Sequence, residues 1–240
     1  MATEITKQDL RKAYNRFWWV AQTASSFDRM QAVGFCYGMS GILKKVYDKK
    51  EDLSEAMKRH LVFFNTMATW GGAILGLSIG MEQEKAEGKE IDGELIIGLK
   101  TGLMGPFASI GDSINLATFR TLFFSVAASI GMTGNPVAAL IPLIYTVLDW
   151  LFGLYMTNLG YNLGMKSITA MLNSGVIHKV IKAAGILGVF MVGALTAKNA
   201  SIALAPTFVI GGADTSLQSI LDGICPGLIQ ALAVWGCFFF

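Results

Sequence analysis

The chain has 240 residues, 53% of them hydrophobic and only 15% charged, with a mean hydropathy of +0.51. That is more apolar and less charged than a soluble domain and argues for a membrane protein. The net charge of +2 is too small for nucleic-acid binding. Three cysteines without a CxxC pair (Cys36, Cys225, Cys237) exclude a disulfide scaffold and a cysteine zinc site, and two histidines leave no material for a histidine metal cluster.

Charge is segregated along the chain. Residues 1–60 hold 11 of the 19 Lys/Arg and 7 of the 17 Asp/Glu, and six acids run from Glu82 to Glu94. From Leu95 onward only Asp112, Asp149, Asp214 and Asp222 and six bases remain. A charged, cytoplasmic or interfacial segment over 1–60 is therefore expected to precede a membrane body over 61–240. The polar start Met1–Arg16 is no signal peptide. The basic excess over residues 7–59 places the amino terminus in the cytoplasm by the positive-inside rule.

The first predicted element is an amphipathic helix, with Leu10, Ala13, Tyr14, Phe17, Trp18 and Ala21 at helical spacing and Lys7, Arg11, Lys12 and Arg16 on other faces. Such a helix lies in the headgroup plane or docks on protein, and the sequence leaves both open. After a charged connector, Lys44–Asp52, a second amino-terminal helix is predicted, with Asp52 as N-cap, Glu55 as its N3 partner and a stripe of Leu53, Met57, Leu61 and Phe64.

Crossing a bilayer takes about 20 apolar residues. Leu61–Met81 is free of formal charge but glycine-bearing, Thr101–Gly111 is too short to cross alone, and Thr121–Leu148 is interrupted by Gly131-Met-Thr-Gly-Asn-Pro136 and reads as two segments joined by a turn. Trp150–Met165, Ala183–Ala197 and Gly223–Phe240 are short as well. The predicted class is an all-α integral membrane protein with amphipathic amino-terminal helices followed by short, broken and re-entrant transmembrane helices. The end at Cys237-Phe-Phe-Phe240 lacks an interfacial anchor, so the natural protein is expected to continue.

Gly102, Gly105, Pro106 and Gly111 permit a broken or re-entrant helix that leaves Asp112 at or near a helix start. A carboxylate at membrane depth is a functional-site hypothesis, with an N-cap as its structural alternative. The run lacks the Gly-Lys-Ser/Thr ending of a P-loop.

Arg29-Met-Gln-Ala-Val-Gly-Phe35, Arg59-His-Leu-Val-Phe-Phe-Asn-Thr66, Met81-Glu-Gln-Glu-Lys-Ala-Glu-Gly88 and Gly102-Leu-Met-Gly-Pro-Phe-Ala-Ser-Ile-Gly-Asp112 together resemble the IID membrane component of the mannose-type (mannose/fructose/sorbose) sugar phosphotransferase system. The likeness continues through Ala184–Leu195 and Gln218–Asp222 to Pro226-Gly-Leu228. It implies a multi-pass subunit of the bacterial cytoplasmic membrane that pairs with a IIC membrane subunit. Together they move a hexose or related sugar inward, while cytoplasmic IIA and IIB phosphocarriers bring the phosphoryl group. It implies no cofactor and no catalytic residue. Neither His60 nor His178 stands in a phosphohistidine motif, so this subunit is not expected to be the phosphocarrier.

The chain departs from the family pattern at Thr23-Ala-Ser-Ser26, after Thr66 and after Asp112, which leaves the sugar open. Sugar hydroxyls both donate and accept, so recognition calls for carboxylates and amides before an apolar wall. Asn65, Glu82, Asp112 and Asn115 are the predicted substrate-binding residues. Their structural alternatives are a buried packing amide for Asn65 and a solvated acidic turn for Glu82. Arg120 is expected to counter Asp112 or anchor a helix end, and Asp149 beside Trp150 is expected at the interface. A secondary small-molecule transporter subunit and a membrane scaffold without a transport role are the alternatives. The first lacks the expected internal repeat, and four scattered carboxylates beyond position 94 do not make a membrane enzyme.

Overall fold

The computed structural model describes residues 4–174 and short stretches beyond them. Residues 1–188 form one compact unit and 189–240 a second, of which a two-stranded antiparallel hairpin is described, β1 (Thr207–Ile210) with β2 (Ala213–Ser216). All other described elements are helical. The apolar segments predicted at Ala183–Ala197 and Gly223–Phe240 lie outside the described residues.

Three amino-terminal helices form where two were expected: α1 (Lys7–Val20), α2 (Ala32–Val46) and α3 (Lys50–His60). A capping box that the sequence reading missed starts α1, with the Thr6 side chain accepting from Asp9 N–H and the Asp9 carboxylate accepting from Thr6 N–H. The predicted box at Asp52 and Glu55 does not form, because α3 begins earlier, at Lys50. Acidic Glu51 and Asp52 in its first turn and basic Lys58 and Arg59 in its last complement the helix dipole instead.

The apolar face of α1 docks on protein. Leu10, Ala13, Tyr14, Phe17 and Ala21 are buried, and Gly38 of α2 brings the α2 backbone against Phe17 and Ala13. Phe17, Phe35 and Phe64 interlock with centroids 4.5 to 6.3 Å apart. Phe64 belongs to the connector after α3, which Gln31 holds by donating its N–H to Phe64 O (2.8 Å) and accepting Thr66 N–H on its side chain (3.1 Å).

Helices α4 (Ala68–Ala86) and α7 (Leu140–Ser174) run parallel in close contact. A Cβ on Gly76 would collide with the Thr157 carbonyl, and one on Gly160 with the Ala73 carbonyl. Glycine here serves close helix approach, as in membrane helix pairs.

Between them in sequence, α5 (Gly93–Gly111), a π-helical segment (Asp112–Arg120) and α6 (Thr121–Gly131) form one continuous rod. The glycine–proline run does not break it. Pro106 lies inside α5, and elsewhere along the rod the Thr101 and Ser113 hydroxyls back-bond to carbonyls four residues earlier, Ile97 O (2.8 Å) and Ser109 O (2.8 Å). The irregularity falls later, as the π segment, where Thr118 bonds Ser113 O (2.9 Å) and Thr121 bonds Leu116 O (3.1 Å), each five residues back. Asp112 is therefore mid-rod and caps no helix start. The predicted turn after Gly131 is present, with Gly134 at φ +74° and the Asn135 side chain accepting from Val137 N–H ahead of the short 3₁₀ turn Pro136–Ala139.

Among the described residues two stretches, Gly93–Gly131 and Pro136–Met165, are long and apolar enough to cross a membrane, and little of either is buried, 11% and 6% of their most apolar parts. Their outer faces await lipid or protein.

Candidate functional site

The π segment turns Asn115 inward. Its side-chain NH2 donates to Asp149 Oδ1 on α7, and its side-chain oxygen accepts from the Trp70 indole of α4 at 3.5 Å. Thr69, also on α4, donates to Asp149 Oδ2 at 2.6 Å, and the Tyr145 hydroxyl donates to the Asn115 carbonyl at 3.4 Å. Asn115 is buried and Asp149 half-buried. Three elements thus converge on one carboxylate, which has two neutral donors and, among the described residues, no cation.

Beside this cluster lies a cleft of about 240 Å³ walled by Phe119, Phe123, Tyr145, Leu148 and Phe152, with Asn115 and Asp149 at its polar edge. Trp70 extends the aromatic surface, 5.3 Å from Phe152 and 6.3 Å from Phe107. Carboxylate and amide oxygens before an aromatic wall are the chemistry that orients a small polyhydroxylated molecule.

The four residues expected to bind substrate do not converge. Asn115 joins the cluster. Asp112, three residues earlier, is exposed, and its carboxylate has no hydrogen bond among the described residues. Asn65 is exposed in the connector before α4 rather than packed as a buried amide. Glu82 lies 13 residues beyond Thr69 on α4, about 20 Å along the axis.

Glu82 is fully buried, not part of a solvated turn. Arg59 donates to both its oxygens (Nε to Oε1, 2.9 Å; Nη2 to Oε2, 3.1 Å), His60 Nε2 lies 2.9 Å from Oε1, and the Tyr47 hydroxyl donates to Oε2 at 2.7 Å. Glu55 takes the remaining Arg59 fork at 2.9 Å. Burial by itself would raise the Glu82 carboxyl, but the bonds from His60 and Arg59 and the guanidinium charge bring it down to about 2. Burial pushes His60 the other way, below the usual imidazole range, with Lys100 and Arg59 adding repulsion. His60 is thus a neutral Nε2–H donor, and its Nδ1 has no partner among the described residues. The buried Lys100 ammonium donates to the His60 carbonyl at 3.1 Å and lies 4.7 Å from the Phe35 ring centre. With its carboxylate filled by protein donors, Glu82 joins α3 and α4 to the α2–α3 connector. Beside this network a polar cleft of about 440 Å³ opens between Lys49, Asp52, Glu55, Lys85, Lys89 and Glu90.

Sequence reasoning expected Asp149 at the interface and did not single out Thr69, Trp70 or Tyr145, which meet it or Asn115 here. The signal was available, since Asp149 is the only acid between Asp112 and Asp214 and the rule for carboxylates at membrane depth applies to it as to Asp112. His178 lies outside the described residues.

Comparison with known proteins agrees with this architecture. A family model described as the PTS system mannose/fructose/sorbose family IID component matches residues 4–240. The sorbose-specific EIID component of Lacticaseibacillus casei is 35% identical, covering 95% of this chain and 83% of that protein. The mannose-specific EIID component of Escherichia coli K12 is 35% identical, covering 98% and 85%. The fructose permease IID component of Bacillus subtilis 168 is 37% identical, covering 85% and 76%. A cryo-electron-microscopy structure of the mannose transporter ManYZ with microcin E492 contains a chain that superposes with a TM-score of 0.83 at 33% identity, covering 98% of this chain and 88% of that one.

Proposed function

Since the chain belongs to the mannose/fructose/sorbose IID family of the sugar phosphotransferase system, we propose that it is the IID membrane subunit of a sugar permease which, with a IIC partner, binds a hexose or related sugar and moves it inward for phosphorylation by IIB. The observation that carries the sugar contact is the Asn115–Asp149–Thr69 cluster at the edge of an aromatic cleft. There Asp149 and Asn115 exchange hydrogen bonds with sugar hydroxyls, and the rings beside them cover the apolar face of the sugar.

The charged end of the molecule, with α1 to α3 and the cleft between Lys49 and Lys89, faces the cytoplasm and is where the IIA and IIB phosphocarriers approach. The basic excess of residues 1–60 supports that orientation. His60 is closed inside the Glu82 network, which supports a translocating rather than a phosphoryl-carrying role.

The test is reconstitution in cells lacking other permeases for mannose, fructose, glucose and sorbose. Expressing the chain with its IIC, IIA and IIB should give uptake and phosphorylation of at least one of these sugars, and omitting it should abolish both. Uptake that persists without the chain overturns the assignment.

A further inference from the structure

From the outer side of the π segment we infer that Asp112, Leu116 and Arg120 form the seat of a partner membrane helix that presents a carboxylate to Arg120 and a base or hydrogen-bond donor to Asp112. The inference rests on the reading above, in which a IIC subunit accompanies this chain.

The three residues are four apart, so they share one face of the rod. Asp112 and Arg120 are exposed, and Leu116 between them is 38% exposed. Among the described residues neither charge is in an ion pair, and the Arg120 guanidinium instead lies 5.5 Å from the Phe124 ring centre. The two charges thus do not neutralise each other.

Position makes this costly. Eleven charge-free residues, Thr121–Gly131, separate Arg120 from the turn, about 16 Å of helix, whereas a bilayer core is about 30 Å thick. Ionised side chains at such depth turn toward protein or water and find counter-charges. The inner side of the rod already serves Asn115, so the outer charges call for complementary groups from outside. The apolar Leu116 between them fits a helix surface rather than an aqueous channel. Charge complementarity therefore selects a membrane protein helix as the occupant. This assigns Asp112 to assembly, a task different from the sugar contact expected of it from sequence.

The experiment incorporates the photo-crosslinking residue p-benzoylphenylalanine at Leu116 in the co-expressed complex, with Phe27, which is fully exposed in the α1–α2 turn, as control. Irradiation should join position 116, and not 27, to the IIC subunit. In parallel, Arg120→Gln should lower the IIC recovered with the tagged chain at least about 10-fold, and Arg120→Lys should keep most of it. Adducts only within this chain, including residues 189–240, or only to lipid overturn the inference, as does unchanged IIC recovery with Arg120→Gln. If the wild-type chain recovers no IIC at all, the proposed function itself fails. If it does and position 116 gives no IIC adduct, only the seat is wrong.

Discussion

Asn115 and Asp149 are 34 residues apart in sequence and meet side chain to side chain, amide NH2 to carboxylate, where the π segment faces α7. The extra residue per turn of the π stretch re-aims one face of a membrane rod and places an amide against an acid that α4 also bonds through Thr69. The pairing, with Thr69 on the other oxygen, fixes the orientation of Asp149.

Replacing Asp149 with Asn should weaken sugar binding by the assembled complex about 10-fold or more. A hydrogen bond to a charged group contributes about 1.5–3 kcal/mol, and 1.4 kcal/mol is tenfold in affinity. Isothermal titration on wild-type and variant complexes of equal elution volume gives the comparison. Equal affinities would reduce the Asp149 cluster to a packing element.

Gly76→Leu should prevent folding of the described helical unit, because a side chain there meets the Thr157 carbonyl and α4 and α7 must separate. Gly98→Ala, in open space within α5, should be neutral or stabilising by up to about 1 kcal/mol. Fluorescence-detected size exclusion after a temperature ramp should show an aggregated Gly76→Leu protein and an unshifted or raised midpoint for Gly98→Ala.

Acid should destabilise the amino-terminal region in two steps. His60 has a lowered folded-state pKa, so the unfolded chain binds the proton more readily and stability falls once pH drops below about 6.5. Glu82 is brought down to about 2, so its contribution is complete above its usual value near 4.5 and is lost as pH falls from there toward 2. Melting midpoints measured from pH 8 to 4 should be flat above pH 7 and decline below it. His60→Gln should remove the upper part of the decline, and an identical profile in that variant would refute the assignment.

The double variant His60→Gln, His178→Gln should support phosphorylation of the transported sugar wherever the complex still assembles. A nucleophile for phosphoryl transfer must reach its donor, and His60 is fully enclosed. Phosphotransfer lost while sugar binding is retained would make one of these histidines a carrier.

The apolar stripe of α1 and the turn after Gly131 were legible because each depends on neighbours in sequence, helical spacing in one case and glycine and proline chemistry in the other. The fate of Pro106 was not. Proline removes one donor from a helix, and whether the helix runs on past it depends on the packing around it, which a single stretch of sequence does not show. Glu82 misled for a similar reason. A row of acids reads as solvated until Arg59, His60 and Tyr47 arrive from other elements. Asp149 became meaningful only through Thr69, 80 residues away.

The parallel seam of α4 and α7 is clamped at both ends, by Thr69 to Asp149 and by the Tyr161 hydroxyl to Gln83 Oε1 at 2.7 Å, with the glycine contacts of Gly76 and Gly160 between. Two rods locked at both ends and touching backbone to backbone can neither slide nor splay without breaking all of these at once. They form the fixed jaw of the cleft. The opposite jaw is the π segment, held to them at Asn115 by one amide with two side-chain bonds and by the Tyr145 hydroxyl. One jaw is therefore fastened along its length and the other at a single residue, and a helix seated on Asp112 and Arg120 would brace the second.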